Sequence, residues 1–307
     1  MSMAAPVIET HALTKSFGAQ RGIQEVDLRI EPGEIFGFLG PNGAGKSTTI
    51  RILMGLYRAS SGTVKMLGLD PQRDVIDVHR RTGYIPGELA LYPRMTGREI
   101  LDRFGSARGL RDTRYREELV ERFGVELGRP TQLLSKGNRQ KLGIVLAFMH
   151  RPELLVLDEA TSGLDPLLRQ EFVNLVEETA ADGRTVFLSS HDLDEVQQVV
   201  HRLAIIKEGR IVVADTVEGL RSHAPRTMEL VFDYQVDAAS LTRLKGVEVS
   251  ADGPRRLRLK ITGPVAPVLR ALAPLDPIDI LSRPADLDEL FLGYYRSTDL
   301  TEDSHAK

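Results

Sequence analysis

Hydrophobic positions along this chain change period several times, and each change marks a new element. Val26, Leu28 and Ile30 alternate with Asp27, Arg29 and Glu31, the two-residue period of a strand with one face in a core. Residues 7–39 read as β structure, with Glu31-Pro32-Gly33-Glu34 turning the chain into the apolar run Ile35-Phe36-Gly37-Phe38-Leu39. Thr49-Ile50-Arg51-Ile52-Leu53 then reads as helix. From Thr96 to about Met149 the pattern is helical, rich in charge and poor in β-branched residues. Arg98, Glu99, Arg103, Arg114, Arg116, Glu117, Glu118 and Glu121 fall on its solvated faces. Leu133 to Asn138 interrupts this block, and a helix from Arg139 to His150 follows, with Ser135 in its N-terminal cap region. Leu154-Leu155-Val156-Leu157 has no alternation and reads as a strand buried on both faces of a parallel sheet. Ser162-Gly163-Leu164-Asp165-Pro166 is a turn that opens a further helix, and Thr185 to Ser190 is a second buried strand. Leu203 to Ile206 and Arg210 to Val213 read as a hairpin turning at Glu208-Gly209.

After about Thr216 a new module begins. Met228, Leu230 and Phe232 alternate as a strand, and Ala238 to Leu244 reads as a short helix. Val247 and Val249 lead to the hairpin signal Asp252-Gly253, after which Leu257, Leu259 and Ile261 alternate with Arg256, Arg258 and Lys260. Val265, Val268, Leu269 and Leu272 have helical spacing, Ile278 to Leu281 is strand-like, and Asp286 to Arg296 is an apolar-faced helix. The order βαββαβ with a last helix predicts a small ferredoxin-like α+β sandwich. The basic stripe Arg255, Arg256, Arg258 and Lys260 reads either as a solvated outer face or as an anion surface. The boundaries expected are a main α/β domain over 7–216 with a helical subdomain at about 90–150, an accessory domain over 226–296, and a polar tail over 297–307.

Composition narrows the function without choosing it. Net charge is −3, so bulk electrostatics favour no nucleic acid. With no cysteine, disulfides and thiolate metal sites are excluded. The start Met1-Ser2-Met3-Ala4-Ala5-Pro6 has neither the basic region nor the apolar core of a signal peptide. The longest apolar stretch, Leu142 to Met149, falls far short of the roughly 18 residues that span a bilayer, so the chain reads as soluble on its own.

The chemistry is concentrated at strand ends. Gly40-Pro41-Asn42-Gly43-Ala44-Gly45-Lys46-Ser47-Thr48 lies between an apolar strand and a helix, the arrangement that makes a phosphate cradle. Backbone N–H groups and the helix dipole face the anion, Lys46 reaches the outer phosphates, and the Ser47 hydroxyl is placed for Mg²⁺. Asp158 and Glu159 follow the second apolar run, where ligands bind in open α/β sheets. Beside a phosphate loop, Asp158 suits the Mg²⁺ shell and Glu159 suits polarising the attacking water. His191 closes the next strand, within reach of a γ-phosphate, although a lone histidine is also an ordinary structural residue. Phe17, just before Gly18, reads either as a core or loop aromatic or as a platform for adenine.

These residues together resemble the ATP-binding subunit of an ABC transporter, in particular the bacterial drug and antibiotic exporters whose ATPase and membrane parts are separate chains. The resemblance is strong over residues 7 to about 215 and weaker beyond, where Asp288-Glu289-Leu290-Phe291-Leu292 is similar to that subgroup's closing segment. It identifies Gly40 to Thr48 as the Walker A loop, Leu154 to Glu159 as Walker B, Ser162 to Asp165 as the D-loop, His191 as the switch histidine and Phe17 as the adenine-stacking aromatic. The fold it implies is a P-loop NTPase with an antiparallel β subdomain and a helical insertion. ATP and Mg²⁺ are the implied ligands, with Glu159, His191 and Lys46 catalytic and Asp165 and the signature at the nucleotide.

Two motifs depart from the family pattern. The signature, usually Leu-Ser-Gly-Gly-Gln, is Leu134-Ser135-Lys136-Gly137-Asn138. It keeps Ser135 and Gly137, adds a cation at Lys136 and shortens the amide arm at Asn138. In the Q-loop, Ile85-Pro86-Gly87-Glu88 has Gly87 where glutamine normally follows the proline, which leaves Glu88 or backbone and water to make that contact. Leu89 to Arg98 resembles the segment that couples to a membrane subunit. The resemblance implies a head-to-tail homodimer, or pairing with a related ATPase chain, attached to a separately encoded permease at the cytoplasmic face of the cell membrane. The alternatives are non-transport ABC ATPases, acting in cell division or envelope scaffolding, on ribosomes or on DNA. The ribosomal type carries two cassettes per chain, where this chain has one, and the DNA type inserts a long coiled coil between Walker A and the signature, where no sustained heptads occur between Ser47 and Ser135.

Overall fold

The computed structural model describes residues 5–18, 20–223 and 225–282. Residues up to Ala214 form one compact unit and those from Asp215 a second. In the first, chain order runs β1 (Ile8–Phe17), β2 (Gln20–Ile30), β3 (Ile35–Leu39), α1 (Lys46–Leu53), β4 (Ser61–Met66), α2 (Val75–Arg81) and β5 (Thr82–Ile85). The helical block follows as α3 (Gly97–Ala107), α4 (Arg114–Phe123) and α5 (Lys136–Phe148). Then come β6 (Leu154–Asp158), α6 (Pro166–Ala181), β7 (Thr185–Ser190), α7 (Leu193–Gln197), β8 (Arg202–Lys207) and β9 (Arg210–Thr216).

The strands make two sheets. β2, β1 and β4 form an antiparallel three-stranded sheet. The other runs β5-β6-β7-β3-β8-β9, with β5, β6, β7, β3 and β8 parallel. β3, β6 and β7 are buried at every position, which is why their sequences lack alternation. Ile8, Leu13, Ile23, Val26, Ile30 and Met66 of the small sheet share one core with Phe36, Phe38 and Phe187 of the large one and with Ile50, Ile52 and Leu53 of α1. The rings of Phe36 and Phe187 stack with centroids 6.0 Å apart. Register sets Leu39 beside Ser190 and Asp158 beside Ser189, so the C-terminal ends of β3, β6 and β7 are level and open on one edge.

Polar and charged side chains organise the helical block, and one of them ties it to α6, while α5 buries Leu142, Ile144, Val145 and Phe148. Thr96 and Glu99 form a reciprocal capping box at the start of α3. Arg116 of α4 is buried and pairs with Asp102 and Glu117. Arg122 at the end of α4 pairs with Glu171 and Glu178 of α6.

The second unit contains α8 (Val217–His223), β10 (Arg226–Val231), α9 (Ala239–Thr242), β11 (Val247–Ala251), β12 (Arg256–Ile261), α10 (Ala266–Leu272) and β13 (Asp279–Ser282). Its sheet has the order β11-β12-β10-β13 with every pairing antiparallel. Met228, Leu230, Leu257, Leu259 and Ile261 pack with Leu241, Val268 and Leu272 of the helices. Arg256 and Arg258 are on the solvated face, and Arg258 is within 3.5 Å of both Glu229 and Asp252. The expected helix Asp286 to Arg296, the segment Asp288 to Leu292 and the tail from Ser297 lie outside the described residues.

Helix starts differ most from expectation. α1 begins at Lys46 rather than Thr49, directly on Gly45, and α5 begins at Lys136 rather than Arg139, because Ser135 itself caps it. α9 spans only Ala239–Thr242 of the expected Ala238 to Leu244.

Candidate nucleotide site

The phosphate loop is held from beneath by the β8–β9 hairpin. Glu208 and Gly209 both have positive φ, 49° and 81°, and the Gly209 amide donates to Ala44 O at 2.9 Å. Gly45 has φ 114°, and a Cβ on it would stand 2.7 Å from Ile23 Cγ2, so no side chain fits there. Within this tight frame, the amides of Gly43, Gly45, Lys46, Ser47 and Thr48 donate to no acceptor among the described residues. That is a concave set of N–H groups at a helix start, which has anion-binding geometry.

Three ionisable side chains meet beside the loop. Lys46 is 5% exposed and donates from Nζ to Gly40 O at 2.6 Å. The same Nζ lies 3.2 Å from Glu159 Oε1, a buried oxygen with no aligned hydrogen bond. The other carboxylate oxygen of Glu159 is 2.7 Å from His191 Nδ1. Glu159 has a positive φ of 51°, a conformation costing a non-glycine residue about 1–2 kcal/mol. It is fixed by two backbone bonds, its own amide to Ser189 O at 3.2 Å and the Ser162 amide to Glu159 O at 3.1 Å.

Asp158 is buried and accepts a hydrogen bond on Oδ1 from Ser189 at 2.6 Å. Its Oδ2 accepts none among the described residues and faces Gly87, whose missing Cβ would be 3.2 Å away. The Ser47 hydroxyl is also without a protein partner among them. One free carboxylate oxygen and one free hydroxyl suit Mg²⁺, which takes few protein ligands and draws the rest from phosphate and water. Among the described residues no group of three or more His, Asp or Glu side chains is placed to hold a metal ion. Tyr84 stands next to Asp158, and its hydroxyl is pushed up to about 12, first by burial and then by the Asp158 charge. Phe17 is 41% exposed, with Tyr57 edge-on at 5.7 Å and Lys15 Nζ 5.3 Å from its ring centre.

The remaining expected residues lie apart from this cluster. No hydrogen bond or ion pair among the described residues joins 134–138 to 40–48. Ser135 is exposed and accepts from the Asn138 amide at 3.1 Å, while both amide atoms of the Asn138 side chain are used on the Glu126 backbone. Asp165 caps α6 by accepting from the Leu168 amide at 3.0 Å. Glu88 is exposed. Ser189, Tyr84 and Gln140, which donates to Ala160 O at 2.7 Å, have no mark in the sequence beyond lying near strand ends or in the signature helix.

The family described as ABC transporter matches residues 23–162. The bacitracin transport ATP-binding protein BcrA of Bacillus licheniformis is 34% identical over 254 residues, covering 80% of this chain and 83% of that protein. The daunorubicin/doxorubicin resistance ATP-binding protein DrrA of Streptomyces peucetius is 35% identical over 301 residues, covering 93% and 91%. A solved structure of an ATP-binding subunit of an ABC transporter superposes with a TM-score of 0.66 at 30% identity, covering 70% of this chain and 92% of that one.

Proposed function

The chain belongs to the ABC transporter family of ATP-binding proteins and is an ATPase, and on that premise we propose that two copies close head-to-tail around two ATP molecules to drive a separate membrane-integral subunit. The observation that carries this reading is the division of the site. The phosphate cradle with Lys46, Glu159 and His191 is assembled within one chain, while the exposed signature turn has no bond to it. In that arrangement the turn at Ser135 and Gly137 would cover the γ-phosphate held by a partner's Gly40 to Thr48, and the D-loop ending at Asp165, which caps α6, would meet the same junction.

In this reading Phe17 stacks on adenine and the unspent amides with Lys46 hold the phosphates. Ser47 and Asp158 would hold Mg²⁺, which supplies charge stabilisation to the phosphates when bound. Glu159 accepts the proton of the attacking water as its oxygen bonds to the γ-phosphorus and the bond to the β-phosphate oxygen breaks. His191 holds the Glu159 carboxylate in place for this, 2.7 Å away. Lys46 must leave Glu159 to reach phosphate, so nucleotide binding itself releases the base. Gly87 packs against Asp158 Oδ2, so the contact of the family's Q-loop glutamine falls to water or to Glu88.

Relatives concerned with bacitracin and with daunorubicin and doxorubicin support an antibiotic or hydrophobic drug as cargo. No helix among the described residues is long and apolar enough to cross a membrane; in this reading the membrane crossing belongs to a separately encoded permease, with this chain attached to it at the cytoplasmic face. We assign the ATPase domain to 7–216 and an accessory domain to 226–296, whose strand order β11-β12-β10-β13 supports a ferredoxin-like sandwich. Affinity capture of the full chain from detergent-solubilised membranes should bring down one membrane-integral protein, and vesicles holding both should move drug only with ATP. Recovery of ribosomes or DNA in its place would overturn the transport reading.

A further inference from the structure

We infer that Lys136 is a positioning residue that links each chain's signature turn to that chain's own catalytic carboxylate, so that gripping the partner's nucleotide sets the base of its own site. The link rests on the head-to-tail reading above. Its parts are visible within one chain. Lys136 Nζ donates to Ser162 Oγ at 3.1 Å. Its aliphatic stem lies over Gly163, with Cγ, Cδ and Cε 3.4–3.5 Å from where a Cβ on that glycine would be. Beside it, a Cβ on Gly137 would stand 3.0 Å from Gly163 O, and one turn further Gln140 donates to Ala160 O at 2.7 Å. The first turn of α5 is therefore fastened to the segment 160–163 at three successive points.

That segment is what holds Glu159 in its strained conformation. The Ser162 amide donates to Glu159 O at 3.1 Å and closes the turn that keeps Glu159 at φ 51°. Two hydrogen bonds thus connect the Lys136 ammonium to the backbone of the base. A displacement of the signature turn on engaging a partner's phosphate is passed through Ser162 to the Glu159 carboxylate, which sits between Lys46 and His191. A glycine at 136 would have neither the stem over Gly163 nor the ammonium on Ser162. The lysine that departs from the family signature is therefore what makes the connection in this chain.

The test compares the full-length wild type with Lys136→Met, which keeps the stem and removes the ammonium, Lys136→Arg, Ser162→Ala and the Lys136→Met/Ser162→Ala double variant. ATP hydrolysis is measured across Mg-ATP concentration, and ATP-dependent dimerisation in a Glu159→Gln background. The link predicts that Lys136→Met and Ser162→Ala each lower kcat roughly threefold to tenfold and reduce cooperativity in ATP, with half-saturation little changed. The double variant should be no worse than either single one, Lys136→Arg should restore both parameters, and dimerisation should persist in all. Wild-type kcat and cooperativity in both single variants would overturn the link, as would additive losses in the double. Loss of dimerisation in Lys136→Met alone would also overturn it, by placing the ammonium on the partner's nucleotide. Failure of the head-to-tail reading is separate: Glu159→Gln with native Lys136 would then stay monomeric in ATP, and the link would fall with it.

Discussion

Lys46 rests on the carbonyls of its own loop and beside Glu159, and the proposed mechanism moves it to phosphate when nucleotide arrives. Lys46→Ala is expected to weaken ATP binding at least tenfold, measured by titration with a fluorescent ATP analogue, since it removes the only side-chain cation paired in this cradle among the described residues. Gly45→Ala should destabilise the chain by about 1–3 kcal/mol, read from the urea midpoint, because φ 114° and the 2.7 Å approach to Ile23 both penalise a Cβ. Residues such as Lys46, Ser47, Asp158 and Glu159 were legible in the sequence because each falls within a short motif at the end of an apolar run. Ser189 was not, since its bond to Asp158 arises from register between β6 and β7, 31 residues apart in the chain. The positive φ of Glu159 was equally hidden, because glutamate carries no mark of a left-handed conformation.

Elements were legible where burial is uniform and less so where an end is set by a cap. β7 has the bounds its apolar run predicts, whereas α5 starts three residues early because Ser135 captures the Asn138 amide. The T-x-x-E spacing at Thr96 and Glu99 has the form of a capping box, yet among so many charges Glu99 reads equally as a solvated side chain. Thr96→Ala should cost about 1 kcal/mol in urea unfolding by removing that cap from α3. A pH effect belongs to the ends of α3 and α5. His150 sits 2.5 Å from Arg108 Nη1, and its imidazole is pushed down to about 4, first by burial and then by the Arg108 charge. Its folded value is below its unfolded one, so the unfolded chain binds the extra proton first and stability falls as pH drops from about 6.5 toward 4. Between pH 7.5 and 5 this amounts to roughly 2 kcal/mol, and His150→Gln should flatten that part of the profile relative to wild type.

At the scale of the whole molecule, the two units have separate cores, and the phosphate chemistry lies within the first. The sequence pattern carried this division, since motifs end near the point where a fresh alternation of Met228 and Leu230 begins. It carried less about the signature, whose lysine and asparagine are tied to Ser162 and Glu126 by contacts that only the folded chain reveals. The central claim is that each chain holds half of two sites. The direct measurement is the mass of full-length Glu159→Gln by light scattering with and without Mg-ATP, beside a Glu159→Gln/Ser135→Arg variant. One chain is expected without nucleotide, two chains with ATP, and a single chain throughout when Ser135→Arg blocks the signature. A Glu159→Gln chain that binds ATP and remains single, or a Ser135→Arg variant that pairs equally well, would contradict it.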